Sequence, residues 1–324
     1  MSVFFNAYRI RSLRGAAALL LAMGSGCRDG AAQTQTAHGR DPAGVLRLSR
    51  VAVADPVAGC DAFSILLPPD WKTDGGPLWR PYLSNQASVM WRASGPADGV
   101  SLNILPCDPF VWNTADMPFF AEGVNYLGSE VRRPLQDVSA FITNTVLPRY
   151  RPDIAQVRVT AVTPLPAIAE ATVAARAEAG VRKQGAAARV RVEYSKNGQA
   201  IEEDFFCVLL YSTPLHAPAL TFWGPDNLYS FRARAGRLDA HEGVLRTLVA
   251  SLRISPDWFN IMVQLQKMFI DGRMQSIRDA GQVGAIIAET NRELSTMIRS
   301  SYETREASND RINQLFIDAM REDQ

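Results

Sequence analysis

The chain has 324 residues, 47% of them apolar, with 34 basic and 33 acidic side chains. That near-cancellation leaves no net field to draw it to nucleic acid or an anionic surface, and the length accommodates about two domains. Beyond the N-terminal region the longest apolar run, Phe205 to Tyr211, falls far short of the ~20 residues of a membrane-spanning helix.

The chain opens with Arg9, Arg11 and Arg14, then the apolar run Gly15 to Met23, then Gly24-Ser25-Gly26-Cys27, with no acidic residue before Asp29. This basic, apolar, small-residue order predicts a cleaved export signal over residues 1–27. Arg9-Ile10-Arg11 separates its basic residues, unlike a twin-arginine signal. Gly26-Cys27 resembles the end of a bacterial lipobox, although Gly24 stands where that pattern usually carries Leu. The resemblance implies that Cys27 carries lipid, palmitate included, and begins a mature lipoprotein held to a membrane. Arg28, in place of Asp, implies delivery to the cell outer membrane in a host with two membranes. Ordinary signal-peptidase cleavage in the same zone would instead leave a soluble periplasmic protein.

Residues 28–48 are rich in Ala, Gln, Thr and Gly without apolar period and are expected to be a disordered tether reaching roughly 25 Å. An α+β domain is expected over 49–254 and a helical tail over 255–324. The first strand is read at Phe63 to Pro68, followed by a turn at Gly75-Gly76. Val89 to Arg92 and Val100 to Leu105 read as the next two, joined by the Gly95 to Gly99 turn. Pro106 to Leu135, with irregularly spaced aromatics, reads as one long loop.

Asp137 is placed to cap a helix whose Val138, Phe141, Ile142, Thr145 and Val146 share a face, with Pro148 ending it. Val157 to Val162 reads as a strand, and Ile168 to Ala179 as a helix stopping at Gly180. Arg189 to Tyr194, the Lys196-Asn197-Gly198-Gln199 turn and Phe205 to Tyr211 form the clearest hairpin. Leu220 to Trp223 and Leu228 to Ala233 read as strands around Gly224-Pro225-Asp226-Asn227, and Asp239 to Leu252 as a closing helix.

This succession, with its Leu67-Pro68-Pro69-Asp70-Trp71 stretch and its ending Ser251-Leu252-Arg253-Ile254, resembles the PsbP and Mog1 superfamily over residues 60 to 254. The resemblance implies a curved antiparallel sheet backed by helices that serves binding or scaffolding without an active site. The long loop at 106–135 departs from that compact pattern.

No proline follows Pro256. Ser255-Pro256-Asp257 has the chemistry of a helix start, and Trp258, Ile261, Leu265 and Met268 or Phe269 continue at helical spacing. Val283, Ile287, Thr290, Leu294 and Met297 share a second stripe, as do Ile312, Leu315 and Ala319, but Ser301, Thr304 and Ser308 interrupt the seam. A helical hairpin, or a segment that packs on a partner, fits better than one long coiled coil. The stretch Ser301 to Arg311 resembles helical tails of uncharacterised bacterial exported proteins.

Candidate chemistry is sparse. His38, His216 and His241 have no second histidine at ligand spacing, and Leu245 stands where a His241-Glu242 metalloprotease helix needs its second ligand. No metal, cofactor or catalytic residue is therefore assigned. Asp239 reads as a first-turn acid on the helix dipole. Glu202, Glu203 and Asp204 read as a solvated strand start that discourages edge pairing, with general-acid work open only to a buried member. Trp71, Trp79, Trp91, Trp112, Phe119 and Phe120 are core aromatics, or line a groove for a glycan, lipid or peptide. Cys60 and Cys107 fall at opposite ends of a simple meander, which argues against a disulfide, and Cys207 reads as an inert core thiol.

Three functions follow. The first is an exported, lipid-anchored, non-catalytic binding or scaffold protein of the bacterial envelope, its tail docked on its own sheet or on another envelope protein. The second is a periplasmic hydrolase or glycan-acting enzyme with a site in the 106–135 loop. The third is a carrier of a hydrophobic small molecule held between sheet and helices.

Overall fold

The computed structural model describes residues 46–80, 86–115, 120–126, 128–270 and 295–322. Cys27, the signal, most of the tether, His38, Phe119 and the stripe from Val283 to Leu294 lie outside them.

The expected α+β plan of the PsbP and Mog1 type is not what forms. Strand outweighs helix, and the domain is built on a large mixed sheet. A small antiparallel sheet holds β1 (Ser49–Asp55), β2 (Cys60–Leu67) and β13 (Arg253–Ile254). The large one runs β3 (Lys72–Trp79), β4 (Ala87–Ser94), β5 (Ser101–Ile104), β12 (Leu220–Arg234), β11 (Gln199–Pro214), β10 (Val181–Lys196) and β9 (Ala155–Pro164). The 106–135 segment, expected as loop, adds β6 (Phe110–Asn113) on β12, β8 (Ser129–Val131) parallel to β6, and β7 (Asn125–Tyr126) on β8.

The difference has a local cause, because glycine and proline at apparent turns lie inside strands. Gly75 has φ +84° within β3, and a Cβ there would stand 2.2 Å from the Met90 carbonyl oxygen. Only glycine lets β4 approach so closely. Gly224 (φ +150°) and Pro225 sit inside β12 where the register with β11 shifts, so the proline's missing N–H falls at a bulge. The hairpin forms as read, with positive φ at both Asn197 and Gly198, but each arm extends to 16 residues.

Alternation along β11 divides the core. Phe205, Cys207 and Leu209 pack with α1 (Val138–Phe141), a π-helical segment Ile142–Val146 and α2 (Leu147–Tyr150). Asp137 caps α1 by accepting the Ser139 N–H at 2.8 Å, and the five predicted face residues are all buried. Pro148 does not end the helix, because the π-turn, in which the Leu147 N–H reaches the Ile142 carbonyl, carries the chain past it.

Phe206 and Val208 face the other core, beneath α3 (Pro166–Ala175), α4 (Leu238–Ala250), α5 (Pro256–Ile270) and α6 (Ser295–Glu322). Trp258, Ile261 and Leu265 of α5 are buried as expected. The indole N–H groups of Trp258 and Trp79 both donate to the buried Asp55 carboxylate, at 2.7 and 2.9 Å, which ties α5 and β3 to the end of β1. The tail docks on its own domain: α6 packs on α3, α4 and α5, Ile312 is buried, and Tyr302 donates to the Ile254 carbonyl. Its deepest side chain is Phe316, outside the predicted stripe, whose ring lies 5.5 Å from that of Tyr229 and 5.9 Å from that of Phe206.

Candidate functional site

Leu105 donates to the Leu228 carbonyl, and a Cβ on Gly224 would stand 2.9 Å from the Asp108 carbonyl oxygen, so the chain beyond β5 lies against β12. The parallel pairing of β6 with β8 sets Glu130 opposite Phe110. The end of β3 brings Arg80, and α2 brings Arg149 and Tyr150. These side chains border an open cleft of about 450 Å³, with Gly123, Val124, Asn125 and Gly128 on the loop side.

Its charges are interlocked. Arg80 Nη1 lies 2.7 Å from Asp108 Oδ2, and Arg149 reaches both Asp108 (3.5 Å) and Glu130 (2.9 Å). The Tyr150 hydroxyl donates to Asp108 at 3.5 Å, and burial with the Asp108 charge pushes the phenol's pKa up. The guanidinium groups of Arg132 and Arg149 lie 5.5 and 5.9 Å from the Phe110 ring centre. The two carboxylates therefore flank one guanidinium, and neither is a buried, unpaired acid: side-chain exposure is 13% for Asp108 and 36% for Glu130.

The acidic triad of β11 lies elsewhere and overturns its reading as a solvated strand start. Glu202, Glu203 and Asp204 are all buried, because β11 is a central strand with long neighbours on both sides. Glu203 accepts from Arg151 Nη2 (2.6 Å) and Nε (3.1 Å), from the Tyr194 hydroxyl (2.5 Å) and from the Ser230 hydroxyl (2.5 Å). Burial alone would raise its pKa, but Arg151, Arg232 and the hydroxyl bond outweigh that and hold it below the ordinary range. Asp204 is clasped by Arg189 (2.6 Å) and Arg191 (2.7 Å). Asp239 is a first-turn acid of α4, as expected, and is also an ion-pair partner, 2.7 Å from Arg191. Asp226 binds Arg176 through two bonds of 3.0 and 3.1 Å. The Arg191 to Asp204 pairing was within reach of the sequence, since the two-residue turn fixes the hairpin register. Arg151 was not, being remote in the chain from Glu203.

His241 lies on α4, 2.9 Å from Asp98, and His216 is exposed between β11 and β12. Among the described residues no cluster of three His, Cys, Asp or Glu side chains could hold a metal, and no helix is long and apolar enough to cross a membrane. Trp91 and Phe120 are buried. Cys60, Cys107 and Cys207 are thiols, the last two buried. A cavity between the sheet and α6, bordered by Ile65, Leu102, Tyr229 and Ile312, is about 50 Å³, room for a water or two.

No protein-family model matches the chain. No curated protein matches it either.

Proposed function

We propose that this is an exported, lipid-anchored binding or scaffold protein of the bacterial cell envelope, non-catalytic, whose ligand or partner occupies the cleft between Arg80, Asp108, Glu130 and Arg149. The observation that carries the reading is the cleft itself, open and edged by charged side chains, with each carboxylate already engaged by a guanidinium. Such a surface offers oriented charge for holding a ligand rather than an unengaged base. The leader ending at Cys27 and the polar stretch behind it support the anchored, exported location. The docked tail supports a domain that binds through its cleft, since Ile312 and Phe316 of α6 are buried against the protein itself.

Radiolabelled palmitate with membrane fractionation of wild type and Cys27→Ala tests the location. Label lost in the variant supports the anchor, and label that persists sinks it. A photo-reactive residue at Val124, 43% exposed on the cleft wall, tests the binding. A specific adduct in envelope preparations that disappears in Arg149→Gln is expected, and an adduct indifferent to that change overturns the assignment.

A second reading, a glycan-acting hydrolase, is favoured by one observation: the cleft lies in the 106–135 segment and collects Asp108 and Glu130. Shortening of purified cell-wall glycan by the isolated protein, abolished in Asp108→Asn and in Glu130→Gln, would select it over the binding reading.

A further inference from the structure

The face of the large sheet that carries Glu203 is open to solvent over β3 and β4, where Met90 is 43% exposed and Arg92 is exposed. Cross-strand register places Arg92 beside Asn103 and Ser230, and Ser94 beside Ser101 and Arg232. Arg92 and Arg232 thus stand diagonally on either side of β5. Two strand spacings separate them by roughly 10 Å laterally, a gap that two arginine side chains bridge from opposite sides. The residues between them, Ser101 and Asn103, are buried, polar and uncharged.

Charge on this patch is unbalanced. Glu203, the only carboxylate beside Arg232 on β11, already accepts four bonds, two from Arg151 and one each from Tyr194 and Ser230. Among the described residues Arg232 has no side-chain hydrogen bond or ion pair, and Arg92 has one bond, to the Ser94 hydroxyl at 2.6 Å. Asp74 of β3, opposite Arg92, offsets that arginine, and Glu203, shared with Arg151, offsets Arg232 in part, while Lys72 and Arg234 add positive charge at the same end of the face. Burial, Arg232 and Arg151 all push the Arg92 pKa down, against Asp74, as expected where like charges converge.

We propose that Arg92 and Arg232 form an oxyanion site on the open sheet face, taking a phosphate or carboxylate group of a small ligand. Guanidinium forks match both groups in a bidentate geometry. The proposal is independent of the Asp108 cleft, which shares neither arginine.

Calorimetric titration of the whole protein with inorganic phosphate and with citrate, against chloride at matched ionic strength, is the test. Saturable binding of at least one anion above the chloride baseline is expected, weakened tenfold or more in Arg92→Gln and in Arg232→Gln. Arg92→Lys and Arg232→Lys should fall between, because they keep charge and lose the fork. Arg158→Gln, on the far edge strand, should titrate as wild type. Which anion binds distinguishes phosphate from carboxylate ligands. Binding of neither anion, or glutamine variants that melt and titrate like wild type, overturns the proposal, and if a glutamine variant does not fold the lysine variants carry the test.

Discussion

Replacing Glu203 by Ala removes a carboxylate with no exposed surface and orphans what it held: Arg151, 7% exposed, and the Tyr194 and Ser230 hydroxyls. A buried guanidinium left without its partner costs about 3–5 kcal/mol, and two unsatisfied hydroxyls work in the same direction. At roughly 2–4 °C per kcal/mol for a domain of this size, the melting temperature should fall by about 6–20 °C. Calorimetry and urea titration read this directly. The double variant Glu203→Ala, Arg151→Met should lose less than the sum of the single changes, because the second removes the charge stranded by the first. The pH profile supplies an independent check. The folded pKa of Glu203 lies below the unfolded value near ~4.3, so its contribution is complete above that pH and is lost as the pH falls through the folded value. Glu203→Gln should therefore flatten the acid limb of the stability curve while leaving the neutral limb's shape unchanged. A loss below about 1 kcal/mol, with strict additivity to Arg151→Met, would refute a closed buried network.

Phe316→Ala, which vacates the aromatic pocket under α6, should cost about 3–5 kcal/mol in urea unfolding, and a loss under 1 kcal/mol would mean the tail is not docked as described. Gly75→Ala should destabilise by more than the ~1 kcal/mol of an ordinary strained backbone, since its Cβ would meet the Met90 carbonyl at 2.2 Å, and a neutral result in thermal melts would contradict the β3–β4 approach. Burial, with Asp257, Asp55 and Asp61, pushes the Cys60 thiol up to about 11. Its alkylation should thus be slow at pH 8 and accelerate toward pH 11 in the native protein, with a midpoint that denaturant moves down to the ordinary thiol value of ~8.5.

Features governed by neighbours in sequence were legible. The Asp137 cap, the Asn197-Gly198 hairpin and the Ser255-Pro256-Asp257 helix start each need only a few adjacent residues, and each forms. Punctuation by glycine and proline misled, because the same residues that make turns also admit close strand approach and bulges. Gly75 and Pro225 are interior for that reason. The triad at 202–204 was misplaced because burial of an acid depends on which bases the fold brings to it, and Arg151 comes from the end of α2, on another part of the chain.

The sequence by itself determined the alternation that makes β10 and β11 a hairpin and the amphipathic faces of α1 and α5, both properties of short-range chemistry. Only the tertiary structure decided that β11 is central, that Phe316 closes the second core, and that Asp108, Glu130 and Arg149 meet in one cleft. Those depend on pairings between distant segments. Such pairings are chosen by the burial and charge balance of the whole domain, and no local pattern encodes that balance.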